Sequence, residues 1–318
     1  MEVILTKSYY PSLCFYALKK LGLMGQEPDP EYSDLAEEMI ELGEQFDFKP
    51  PIAGGPLFTI LYQFPSNLDP ATIKDMEVIE EVLIEVILTK SFDPIMKLSD
   101  KFNVESLFLY QANQDLIFSG LNSADTSKAK PLVKKFFDFL KTLWPEYRKV
   151  YEKKLADYPF EKREIKLNDL DIFKKWHQAM DYPYPDDQFV CVICPESKTL
   201  ASSLGYDKIV VSSQCSWQQL RHAIVHEIGV RIPGFKFLET HPATSNLMKN
   251  DYYNLLLLIE SEVCHRKNQI LSEIKEDPFL GSTGWTNIYN WRRKQQLNED
   301  YPELISKLYR RGKEEEIF

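Results

Sequence analysis

The stretch Trp217–Arg231, WQQLRHAIVHEIGVR, sets two conditions that few arrangements meet together. Its apolar residues Leu220, Ala223, Ile224, Val225, Ile228 and Val230 call for a strongly buried helix. His222 and His226, two of the five histidines, go in with them, and Glu227 follows the second. Imidazoles and a carboxylate taken out of water must be paired or bind something. Ser216 is a good N-cap for this helix, while Gly229 and Pro233–Gly234 supply breaking chemistry at its far end.

The step from His226 to Glu227 is how a zinc-peptidase helix begins: the imidazole takes the metal, and the adjacent carboxylate takes a proton from metal-bound water. The HExxH spacing is absent, because Val230 stands where the second ligand would be. Two ligand sets remain open. In one, His222 and His226 chelate from adjacent turns. In the other, the motif is HExxxH, whose ligands lie roughly 140° apart on a regular helix and need a distorted or ending one. Its last position is Arg231, which keeps its proton and cannot ligate zinc. The partner stretch is IESEVCHRK, Ile259–Lys267, which offers Glu260, Glu262 and His265 from a second helix; Glu260 reads as an ordinary helical surface charge. His177 and His241 have no partner pattern and read as non-ligands.

HEIGVR, preceded by an aliphatic helix and two strands, resembles the HEIGxH signature of the tyrosine-carboxypeptidase-like metallopeptidases. That family holds the microtubule-associated tyrosine carboxypeptidase and bacterial proteins named after a QEGLA motif. The likeness is specific over residues 185–265 and extends only as a general layout to 57–150. It implies a zinc carboxypeptidase acting on protein or peptide C-termini, with His226 and Glu262 as metal ligands and Glu227 as the base. Arg231 replaces the family's second histidine and leaves the set one short. His222 or His265 is then the substitute ligand, or the site has lost its metal and Arg231 pairs with Glu227 or Glu262. The second case implies a catalytically inactive family member serving as a protein-binding module. Arg292 and Arg310, in two basic clusters, are the candidates for holding a substrate's terminal carboxylate.

Around this stretch the chain reads as α+β, mostly helical, with a small β-sheet beside the zincin-like helix. A boundary is expected between a helical region, 1–157, and a metallopeptidase-like α+β region, 158–318. FVCVIC (Phe189–Cys194) and KIVVSS (Lys208–Ser213) read as strands, LFTILYQF (Leu57–Phe64) as a strand or extended arm, and Ala201–Leu204 as a turn or short helix. Helices are expected over 32–46 with Ser33 as N-cap, 69–89, 93–102, 104–118, 129–155, 251–275 and parts of 281–318. The aromatic face Phe136, Phe137 and Phe139 reads as core rather than as a ligand box. EVILTKS occurs twice, at Glu2–Ser8 and Glu85–Ser91, each copy followed by an aromatic, one residue and Pro; it reads as a local duplication.

A net charge of −10 argues against a nucleic-acid surface. The longest aliphatic run, Leu255–Ile259, is far too short for a bilayer, so no membrane partner is expected. The N-terminus lacks signal-peptide features, and the five cysteines read as buried free thiols of a reducing compartment, so a cytoplasmic location is expected. Cys191 and Cys194 form a CxxC on a strand, where positions three apart face opposite sides, which favours two core residues over a metal or redox site.

Overall fold

The β-branched runs do extend, and they find each other. The computed structural model describes residues 2–44, 58–107, 114–119, 121, 126–182, 188–197, 201–271, 285–297 and 299–318. Its strands are β1 (Glu2–Thr6), β2 (Gln188–Cys194), β3 (Ala201–Ser203) and β4 (Lys208–Ser212). They form one sheet in the order β1-β2-β4-β3, with β1, β2 and β4 parallel and β3 antiparallel to β4. The register sets Leu5 opposite Cys191 and Val192 opposite Val210. Covered on both faces, β2 and β4 are apolar without alternation, as parallel strands are.

The sheet draws on both sides of the expected boundary, since β1 comes from the first residues and its partners from beyond 187. The outer edge of β1 is closed by side chains. Asn168 accepts from the Val3 N–H at 2.8 Å and donates to the Val3 carbonyl at 3.0 Å, while Glu164 accepts from the Leu5 N–H at 2.7 Å. Those contacts satisfy an edge that would otherwise offer itself for pairing.

Helices make up most of the rest, so the fold is α+β and mostly helical. The principal ones are α1 (Tyr9–Lys20), α2 (Ser33–Gly43), α3 (Ile73–Thr89), α4 (Ala129–Lys154), α5 (Phe160–Asn168), α6 (Ile172–Met180), α7 (Trp217–Gly229), α8 (Tyr252–Ile270), α9 (Trp285–Lys294) and α10 (Tyr301–Glu314). A capping box between Thr72 and Asp75 starts α3. The aromatic face of α4, with Phe136, Phe137 and Phe139, is buried. Helix α7 lies beside the sheet against β3 and β4. All five cysteines are free and buried, Cys194 with its sulfur 3.2 Å from the Ser12 hydroxyl of α1. Among the described residues no helix is long and apolar enough to cross a membrane.

Several local expectations are corrected. The described part of 57–64 is helical, with a π-helical turn at Thr59–Gln63 running into a short α-helix, Phe64–Leu68. Its apolar residues are buried around that helix, and an unbroken apolar run does not distinguish strand from helix. Ala201–Ser203 is a strand, recruited by the antiparallel edge that β4 exposes. Ser33 is already helical; Tyr32 is the capping residue of α2, after a 3-10 turn at Pro30–Tyr32. In place of a helix over 93–102 stands a 3-10 turn at Asp93–Leu98; of 104–118, the described residues form a 3-10 turn at Glu105–Leu107 and a short helix, Gln114–Ser119. Residues 45–57, 108–113 and 272–284, on which parts of the expected helices and of the extended arm fall, lie outside the described residues.

Candidate functional site

The histidine helix is fixed at both ends by its own sequence. At the start, the Ser216 hydroxyl accepts from the Gln219 N–H at 3.2 Å and the Gln219 side chain accepts from the Ser216 N–H at 3.0 Å. At the finish, α7 runs into a π-helical segment, Val230–Phe237. Pro233 offers no N–H to the Gly229 carbonyl four residues back, and the wider i→i+5 winding passes that carbonyl to Gly234. Both glycines are also points of close approach. A Cβ on Gly229 would lie 2.4 Å from the Trp176 ring of α6, and one on Gly234 would lie 2.7 Å from Ile259 of α8. Bare backbone at these two positions seats α7 and the π segment against α6 and α8.

That packing decides which acids meet which bases. The His226 Nε2 atom is 2.8 Å from Glu260 Oε2, close but not aligned as a hydrogen bond, and its Nδ1 atom faces the Cys264 sulfur at 3.8 Å. Glu260 is thus 5% exposed rather than the surface charge its sequence suggests. Glu227 pairs with Arg231 of the π segment, Nε to Oε2, at 3.2 Å, four residues further along. The Arg231 guanidinium also lies over the Phe235 ring, 5.6 Å from its centroid. His222 is buried one turn before His226.

Glu262, 0% exposed, faces elsewhere. Arg266 donates to it at 2.5 Å from one turn further along α8, and Arg292 of α9 donates through Nε and, at 3.3 Å, through Nη2. Arg266 also donates to the Ala179 carbonyl, and Arg292 to the Gln295 carbonyl at 3.1 Å. Burial by itself would raise the Glu262 pKa, but the two guanidiniums outweigh it and hold the carboxyl below its usual range. The same arginines act on half-buried His265. Burial lowers its pKa first, and Arg292, Arg266 and Arg293 lower it further against the pull of Glu262. A titration of the His265 imidazole proton resonance is therefore expected to fall below the ordinary histidine value of 6.5. A midpoint above 6.5 would mean that the Glu262 carboxylate dominates.

The structure thus brings together His226 with Glu260, Glu227 with Arg231, and Glu262 with Arg266 and Arg292. It does not bring His226, Glu227 and Glu262 to one point. A catalytic zinc needs about three protein ligands around one centre, and among the described residues no group of three or more metal-ligating side chains forms one. Of the proposed carboxylate holders, Arg292 is 5% exposed and engaged on Glu262, while Arg310 is exposed on α10. His177 and His241 make local contacts, with the Tyr182 carbonyl and the Ala243 N–H.

Cys264, His226 and Glu260 stand in the order thiol, imidazole, carboxylate of a nucleophilic triad. All three are buried, the thiol completely, and a nucleophile must meet its substrate. Sequence reading missed Arg266, although Glu262 and Arg266 sit at i, i+4, the spacing at which helix side chains meet. No protein-family model, no curated protein and no solved structure matches the chain.

Proposed function

We propose that the chain is a metallopeptidase-like protein that works without catalysis, as a binding module for a protein or peptide C-terminus, in a cytoplasmic setting. The observation that supports this reading is the pairing of Arg231 with Glu227. A cation stands at the position where the resemblance calls for a metal ligand, and it neutralises the carboxylate that would serve as base. The Glu227 carboxylate is engaged by Arg231 at 3.2 Å rather than held for an attacking water. The free, buried cysteines fit a reducing compartment. The C-terminal ligand rests on the family resemblance, with exposed Arg310 left to meet a carboxylate.

Metal analysis of protein expressed with ample zinc tests it. The expected zinc content is far below one per chain, and Arg231→His is expected to stay there, since Glu262 remains held by Arg266 and Arg292. Stoichiometric zinc in the wild type that disappears in His226→Ala overturns the non-catalytic reading. A C-terminal peptide library, scored for both retention and cleavage, is expected to show retention alone.

A further inference from the structure

Away from the ion-paired helices, the π segment leads into a short helix, Leu238–Thr240, that lines a pocket of about 410 Å³. Its walls include Met96, Val104, Tyr206, Lys236 and Glu239. The volume falls in the lower part of the range of small-molecule sites, roughly 300–1,000 Å³. Two polar groups at this pocket are left over. The Tyr206 side chain is 4% exposed, and its buried hydroxyl has no hydrogen-bond partner among the described residues. The Glu239 Oε2 atom is buried and likewise has none there. Burial pushes the Glu239 carboxyl up to about 7, with Lys249 pulling the other way. A carboxylate held like this is costly, and a cation brought to it would relieve the cost.

The sign of the missing partner follows from what the described lining residues offer. Glu239 Oε2, once ionised, can only accept, and the Tyr206 hydroxyl can accept as well as donate. Lys236 is already engaged within the protein. Glu105 adds a second carboxylate to the wall, so an anion would meet two like charges. Beside these groups lie Val104 and the thioether of Met96, which is 56% exposed at the surface. An exposed methionine is an adaptable apolar surface for a ligand body.

We propose that this pocket binds a small primary amine with an apolar body, its ammonium donating to Glu239 and to the Tyr206 hydroxyl and its apolar part lying on Met96 and Val104. The chemistry resembles ammonium recognition elsewhere, where a carboxylate and an aromatic ring share one cation. Nothing in it depends on the state of the histidine helix, so it stands or falls separately from the proposed function.

The test uses the full chain carrying carbon-13 methionine methyls, with the Met96 resonance assigned through Met96→Leu. Phenethylamine, 2-phenylethanol and 3-phenylpropionate are titrated in turn at pH 8. The expected result is a saturable shift of the Met96 methyl with the amine, at least about tenfold weaker with the alcohol, since loss of a charge-assisted contact of about 1.4 kcal/mol is tenfold in affinity. Glu239→Gln is expected to weaken the amine by a similar factor and Tyr206→Phe by severalfold, with the other methionine resonances in place. Equal affinity for amine and alcohol would reduce the pocket to a greasy cleft and overturn the proposal. Preference for the carboxylate would make Lys236 the anchor and overturn it too. So would an unmoved Met96 resonance with all three probes, or undiminished amine binding by folded Glu239→Gln.

Discussion

Glu262→Gln is expected to lower the free energy of unfolding by about 3–5 kcal/mol, the range for breaking a buried ion pair by removing one partner. The carboxylate is 0% exposed and is held by Arg266 at 2.5 Å and by both Nε and Nη2 of Arg292. Without it, two guanidiniums stay in place with nothing to neutralise them, and Arg292 is itself only 5% exposed. An exposed pair such as Lys97–Glu85 is worth about 0–1 kcal/mol by comparison. Urea unfolding of the two proteins measures the difference. A loss below about 1 kcal/mol would show that the triad does not organise α8 and α9. The control is Glu262→Met with Arg266→Met and Arg292→Met, for which the cost is expected to vanish, because apolar replacement of a whole buried triad is often neutral. The pH dependence has a definite sign. The folded carboxyl titrates below its ordinary value of 4.5, so its contribution is present above that pH and is lost as pH falls through the lower folded value. The gap between wild type and Glu262→Gln is expected to narrow below pH 4.5 and to be widest at neutrality.

The contact between Gly229 and Trp176 predicts a second large effect, and one whose sign opposes the usual rule. In an exposed helix, Gly→Ala stabilises by about 0.5–1 kcal/mol. Here the new methyl would lie 2.4, 2.7 and 2.8 Å from three atoms of the Trp176 ring. The ring cannot easily give way, because it is fully buried and its indole N–H donates to the Val225 carbonyl at 2.9 Å. Overpacking of this kind costs about 1–3 kcal/mol, more than the propensity gain. Gly229→Ala is therefore expected to be net destabilising, and Trp176→Ala to cost about 3–5 kcal/mol as a large buried ring is removed. Trp176→Phe shortens the ring, so the Gly229→Ala penalty is expected to shrink in that background by about 1 kcal/mol, a coupling typical of residues in contact. Thermal unfolding of the wild type, the three single variants and the Gly229→Ala/Trp176→Phe double variant decides it. Stabilisation by Gly229→Ala in the wild-type background would mean that α6 and α7 do not approach as described.

The local signals that carry their own physics were legible in the chain. Ser216 caps α7, FVCVIC and KIVVS form strands, and α4 buries its aromatic face. The disturbance after Gly229 could also be anticipated, since Pro233 removes an N–H wherever the helix lies. Which acid meets His226 could not. Glu260 and Glu262 are two residues apart and point about 200° away from each other on α8, so the rotation at which α8 packs on α7 decides between them. That rotation is set by shape, through Gly234 against Ile259 and Gly229 against Trp176, and puts Glu260 on His226 and Glu262 among arginines.

The duplicated EVILTKS separates the two contributions most sharply. At Glu2–Thr6 the copy is strand β1, with Val3 and Leu5 buried and Ile4 half-buried between them. At Glu85–Thr89 the same five residues close helix α3, burying Val86 and Ile87 and leaving Leu88, the counterpart of Leu5, 49% exposed. The second copy inherits its winding from the turn started at Thr72–Asp75, because extending a helix adds one bond per residue while starting one is costly. The first copy has β2 on one side and Asn168 and Glu164 on the other to take its backbone groups. Sequence by itself determined that each copy carries an apolar run to set at least partly against the core. Their conformation was decided by where each backbone N–H and carbonyl found its partner, and for β1 those partners lie more than 150 residues away.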